Sequence, residues 1–278
     1  MTDLWEYIYY PFTLPFIQRA ILAALTTSIV CALLSCFLVL KGWSLMGDAI
    51  SHAVLPGIVI AYLIGIPIIL GAFASGLFCS AATGYIKDNC RIKEDTVMGI
   101  VFSGMFAFGL VLFSKVDTSL HLNHILFGSV LGTSYAELKQ IILIATIVSL
   151  LVIIKRRDLM LYCFDSIQAK VVGLRVKLLH YGLLSVIALT IVSSLKTAGV
   201  ILVIAMLIAP GITAFSLTRR FERMLLVAVI VSVFSSVIGT LISFYFDAST
   251  SACIVILQAA IFLFVQIYQF IIRKMIHR

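Results

Sequence analysis

The chain has 278 residues, of which 62% are hydrophobic and 12% charged, with a mean hydropathy of +1.18. So few polar side chains cannot cover a water-facing surface, which excludes a soluble globule and marks an integral membrane protein. The formal net charge of +8 is then a matter of orientation in a bilayer, and nucleic-acid binding is excluded as its purpose.

In chain order, residues 1–16 open with an aromatic stretch from Trp5 to Phe12 that reads as an interfacial segment; it lacks the basic start of a signal peptide. Apolar runs long enough to cross roughly 30 Å of hydrocarbon follow at about 17–40, 48–65, 66–86, 96–114, 138–154, 179–195, 198–216, 224–245 and 251–272. The second and third meet at Gly65-Ile66-Pro67, so the sequence predicts eight or nine crossings. Bases cluster at Lys87 to Lys93, Lys155 to Lys177, Arg219 to Arg223 and Arg273 to Arg278, which hold 15 of the 20 and fall on alternate loops. Those loops are assigned to the cytoplasm, and the C-terminus with them. The expectation is an all-α polytopic fold forming one transmembrane domain over 1–278, with no room for a soluble domain.

Ionisable groups inside a span cost roughly 2.5–3.5 kcal/mol at its centre, so each needs a reason. Asp48 and His52 qualify: lying four apart, they share one helical face. A carboxylate oxygen beside an imidazole nitrogen suits manganese, iron(II) or zinc, whereas calcium and magnesium prefer oxygen alone. An Asp–His pair that merely joins helices is the simpler use of the same residues.

Pro56-Gly57 and Pro210-Gly211 each interrupt an apolar run, which predicts two broken helices lining a path near the midplane. The loop 115–137 holds His121 and His124, three apart, as weak candidates for outer capture of a metal ion. Residues 155–178 form the longest polar-leaning segment, and within it Asp165, Ala169 and Gly173 recur every four residues as a face of small side chains. Such a face would let another protein approach closely. His180 and His277 border basic segments and receive no role.

Absent motifs narrow the chemistry further. There is no G-x-x-x-x-G-K-[ST], so nucleotide phosphates have no cradle on this chain. No H-E-x-x-H or G-x-S-x-G occurs, and the six cysteines include no C-x-x-C pair, so hydrolase, redox and zinc-framework readings have nothing to rest on. A membrane-embedded metalloenzyme would want more than two good ligands. The chain is read as a transport subunit and not an enzyme.

The run Gly47-Asp48-Ala49-Ile50-Ser51-His52-Ala53-Val54-Leu55-Pro56-Gly57, the segment Asp165 to Gly173, and the stretch Thr197-Ala198-Gly199-Val200 through Ala209-Pro210-Gly211 resemble the membrane permeases of bacterial ATP-binding-cassette importers for manganese, iron and zinc. The resemblance covers nearly the whole chain. It implies a type II-like importer permease in the bacterial cytoplasmic membrane, with Asp48 and His52 on the metal path. It also implies that Asp165, Ala169 and Gly173 belong to the helix coupling the permease to a separate ATP-binding subunit. A second permease subunit, identical or paralogous, and an extracytoplasmic metal-binding protein would complete the assembly. Manganese and iron are favoured as cargo, with ATP bound only on the partner subunit. A proton-coupled secondary metal carrier is the alternative reading.

Overall fold

The computed structural model describes residues 10–43, 45–92, 94–115, 130 and 132–276. Among these, nine helical stretches are long and apolar enough to cross a membrane, and the described residues contain no strand. Nine, rather than eight, follows from the turn at Gly65-Ile66-Pro67. Gly65 adopts a left-handed φ of 79° and its N–H closes on the Ala61 carbonyl, while Pro67 caps the next helix, so the chain reverses within three residues.

Helix α1 (Pro15–Lys41) begins with proline and ends at Gly42, whose φ of 75° lets the backbone close on Leu38 and Val39. It is followed by α2 (Met46–Ala53) and α3 (Leu55–Ile64), which together make one crossing of 19 residues. Then come α4 (Ile68–Asn89) and α5 (Glu94–Ser114). Helix α6 (Tyr135–Ile154) opens on a capping box: Ser134 Oγ accepts from the Glu137 N–H, and the Glu137 carboxylate accepts from the Ser134 N–H. Two short helices, α7 (Arg156–Phe164) and α8 (Ser166–Val171), fill the segment 155–178 before α9 (Val176–Leu217), α10 (Phe221–Phe246) and α11 (Thr250–Ile276).

The 42 residues of α9 are two crossings, Val176–Leu195 and Thr197–Leu217, joined at Gly199. A straight helix would hold His180 and Gly211 about 46 Å apart. Instead both return to the same end of α1: the His180 ring lies 5.4 Å from that of Trp43, and a Cβ on Gly211 would meet the Ser35 carbonyl at 2.7 Å. The reversal is carried by Gly199 at φ 76°, ψ 164°, a conformation open in practice to glycine alone. Ser251 Oγ donates to the Ala198 carbonyl and so satisfies a backbone group freed there.

The Pro-Gly pairs do something other than expected. Pro210 lies within helical backbone, and the one non-helical residue in α9 is Gly199, so Pro210-Gly211 is not a break. At Pro56-Gly57 the interruption is mild: Val54 keeps helical angles, and Ser75 Oγ donates to the Ala53 carbonyl at the junction of α2 and α3. The two glycines serve close approach instead. A Cβ on Gly57 would sit 2.1 Å from the Gly71 carbonyl of α4, and Gly211 presses on α1 at Ser35.

Helix α1 is the axis of the bundle. Of its most apolar portion 72% is buried inside the chain, against 17% for α5, so α5 turns most of its surface to lipid or to another subunit. Buried hydroxyls are largely satisfied locally, as Ser35 Oγ is by the Ala32 carbonyl, while Ser232 Oγ donates across to the Ser28 carbonyl and ties α10 to α1.

Candidate metal site and inner docking segment

Helix α2 buries Met46, Gly47, Ala49, Ile50, Ser51 and Ala53 and leaves Asp48 and His52 half open on the remaining face. Gly47 packs against Leu207 of α9, and Gly76 of α4 lies against Ile50. With its apolar stripe fixed on two sides, α2 can present its polar residues only outward from that packing. His52 Nε2 stands 3.3 Å from Asp48 Oδ1, and the side chains are 29% and 36% exposed, so one ion can reach both.

Two phenylalanines of α5 hold the imidazole. Phe102 stacks on it at 6.3 Å between ring centroids and Phe106 meets it edge-on at 5.1 Å. Its other nitrogen, Nδ1, is buried and has no hydrogen-bond partner among the described residues. Among the described residues no group of three or more His, Cys, Asp or Glu side chains could hold a metal ion. The described residues thus offer two ligands where a transition metal takes four to six. Asp48 and His52 occupy the first two turns of their crossing, roughly 10 and 5 Å of helix rise before its midpoint near Leu55.

The inner segment is built by the residues that the spacing singled out. Asp165 caps α8, its Oδ1 accepting the N–H groups of Ile167 at 2.9 Å and Gln168 at 3.0 Å. Ala169 is fully buried, and Gly173, with a φ of 87°, ends the helix. The small-residue face is therefore turned inward at Ala169. What projects instead is apolar: Phe164 at 80% exposure, Ile167 at 76%, Val171 at 81% and Val172 at 65%. Burial pushes the Cys163 thiol up to about 12, with Lys41 opposing the shift, so it stays protonated and unreactive near neutrality. His121 and His124 lie outside the described residues.

Sequence reasoning missed His180. Its Nδ1 shares a hydrogen bond of 2.7 Å with Tyr162 Oη of α7, and its ring meets those of Trp43 and Tyr181 edge-on. No local pattern could reveal this, because Trp43 and Tyr162 lie far from His180 in the chain.

The model of the ABC 3 transport family matches residues 13–269. The chain belongs to the ABC 3 transport family. As a member of it, the protein is a multi-pass permease subunit of the inner membrane. Among its relatives is a chelated iron transport system membrane protein of Yersinia pestis, 64% identical over 98% of this chain and 91% of that protein. A manganese transport system membrane protein of Synechocystis is 48% identical over 95% of this chain and 86% of its own length. The solved structure of PsaBC from Streptococcus pneumoniae in complex with Fab superposes with a TM-score of 0.84 at 34% identity, covering 94% of this chain and 95% of that one. An inward-facing putative metal-chelate type ABC transporter shares the fold with a TM-score of 0.72 at 17% identity, covering 91% of this chain and 86% of that one.

Proposed function

We propose that this ABC 3 permease carries manganese or iron(II) inward across the membrane, driven by ATP on a separate subunit, with Asp48 and His52 as its ligands for the passing ion. The observation that carries the reading is the half-open Asp48–His52 pair, 3.3 Å apart on a helix whose other faces are packed. Relatives named for iron and manganese transport agree with that donor set, and zinc is compatible with it. Nothing in these relatives favours a proton-coupled carrier.

Two ligands per chain call for a second permease subunit, identical or paralogous, whose own pair would raise the total to four. The open α5 side of the bundle is the natural side for it. With the basic loops in the cytoplasm, α1 ends there and α2 begins there, which sets the pair roughly 3–9 Å of helix rise from the inner end of its crossing. An ion meets these ligands late in its passage. The carboxylate offsets part of the cost of a dication in low dielectric.

The state of His52 suits transit. While it faces Asp48, the imidazole can keep its proton on Nε2; once Nε2 ligates an ion, the proton belongs on Nδ1, where no acceptor waits. A missing partner of this kind weakens metal binding by about 10–100-fold, which lets the ion leave. No partner subunit can supply it, because Nδ1 is enclosed within this chain.

On the inner side, Phe164, Ile167, Val171 and Val172 are the surface on which the ATP-binding subunit docks, while Asp165, Ala169 and Gly173 shape the turn that presents it. His121 and His124 are the candidates to receive the ion from a metal-loaded binding protein. The deciding experiment is uptake of radiolabelled manganese and iron(II) into proteoliposomes holding the permease and its ATP-binding subunit. ATP-dependent uptake is expected from the wild type and only background uptake from Asp48→Ala and His52→Ala, both assembling normally. Near-normal uptake by the two variants would remove the pair from the path, and uptake driven by a proton gradient without ATP would reverse the mechanism.

A further inference from the structure

Between the docking surface and the helix that bears Asp48 and His52 lies one compact cluster. Tyr162, two residues before the exposed Phe164, is itself buried, and its hydroxyl bonds His180 Nδ1 at 2.7 Å. The His180 ring abuts Trp43 at 5.4 Å, and on its far side the α4 backbone closes in: a Cβ on Gly84 would stand 3.0 Å from Nε2. Lys41 Nζ lies 4.3 Å from the centre of the Tyr162 ring and 5.9 Å from that of Trp43, a cation shared by both faces. Trp43 in turn holds the start of α2. Its carbonyl accepts the Met46 N–H at 3.2 Å, and its own N–H donates to Leu38 at 2.9 Å. Asp48 follows Met46 by two residues.

We propose that Tyr162 and His180 are positioning residues that transmit movement of the docking segment, through Trp43 and Lys41, to the helix carrying Asp48 and His52. The proposal rests on the reading that the ATP-binding subunit docks on that segment. Close-packed interiors pass on small displacements, and here the route is one ring contact and two hydrogen bonds long. The Trp43 indole N–H is buried with no partner among the described residues, so ring packing and the backbone locate this tryptophan. It can follow His180 without breaking a polar bond of its side chain. Glu222 of α10 pairs with Arg156 at 3.4 Å, at the start of α7 and away from its Tyr162 end.

The experiment is performed on the permease assembled with its ATP-binding subunit in proteoliposomes, reading manganese uptake and ATP hydrolysis together. Tyr162→Phe removes one hydrogen bond and keeps the ring under Lys41. ATP hydrolysis is expected to stay within about twofold of wild type while ions carried per ATP fall about fivefold. His180→Leu should show the larger loss, and His180→Gln, which retains a donor and an acceptor, should recover most of it. A purely structural role would lower both activities in proportion to the amount of assembled complex. Unchanged ions per ATP in Tyr162→Phe and His180→Leu would overturn the proposal. If Tyr162→Phe reduces assembly, Trp43→Phe reads the same ratio with the hydrogen bond intact, and an unchanged ratio there overturns it equally. Failure of the underlying reading looks different: Ile167→Asp would then leave the ATP-binding subunit attached and its hydrolysis unaltered.

Discussion

Two histidines of this chain sit in aromatic surroundings and have opposite fates. His180 has Nδ1 bonded to a tyrosine hydroxyl and Nε2 turned toward Gly84 of α4, where a Cβ would stand 3.0 Å away. His52 has one nitrogen toward a half-open carboxylate and the other enclosed without a partner. The first arrangement fixes a ring in place. The second leaves a ligand able to take an ion and to give it up. Aromatic neighbours alone therefore do not distinguish a positioning histidine from an ion-binding one; what its two nitrogens face does.

The comparison breaks most sharply if both histidines are replaced by leucine. His52→Leu should abolish uptake, a loss of about 100-fold or more, with the thermal midpoint of the detergent-solubilised protein little changed, because only a half-exposed ring is lost. His180→Leu should lower that midpoint, since it removes the hydrogen bond to the Tyr162 hydroxyl, worth about 0.5–1.5 kcal/mol. Equal thermal shifts in the two variants would erase the distinction.

Next in size is Gly199. Any side chain there must adopt φ 76°, ψ 164°, a strain of about 1–3 kcal/mol, and the antiparallel limbs of α9 carry both His180 and the Leu207 contact that seats α2. Gly199→Ala is expected to reduce folded yield and thermal midpoint, affecting both histidine sites alike. Gly182→Ala, where a Cβ meets nothing within 4 Å, should do neither, and a matching loss there would show that the reversal is not the cause.

How much of this was legible in the sequence follows from the range over which each signal acts. Hydrophobic length is local, so the crossings read correctly, and a spacing of four placed Asp48 and His52 on one face. The same spacing announced a face at Asp165, Ala169 and Gly173 but not its direction, which is set by where the cap at Asp165 starts α8 against the bundle. Pro210 promised a break that the helix does not make, whereas Gly199, in the stretch quoted for its family likeness, makes the sharper one. Proline forbids a hydrogen bond and neighbouring helices can compensate; a positive φ at glycine has no such remedy. The His180 cluster was beyond reach, since Lys41, Trp43, Gly84, Tyr162 and His180 come from distant parts of the chain and meet only in the packed bundle.

The finest test converts one histidine environment toward the other. Phe106→Gln replaces an edge-on ring beside His52 with an amide whose carbonyl can accept from Nδ1–H once Nε2 holds an ion. Supplying that acceptor should tighten manganese binding about tenfold, the lower end of what such partners contribute. Transport should slow at saturation while the half-saturating concentration falls, because an ion held longer is released later. Phe106→Leu removes the ring without adding an acceptor and should bind no tighter than the wild type. The measurement is equilibrium manganese binding to the purified assembly, set beside maximal uptake rate. Should the Gln and Leu variants bind alike, the unpartnered nitrogen of His52 is not what keeps the ion moving, and the contrast between the two histidines would lose its functional half.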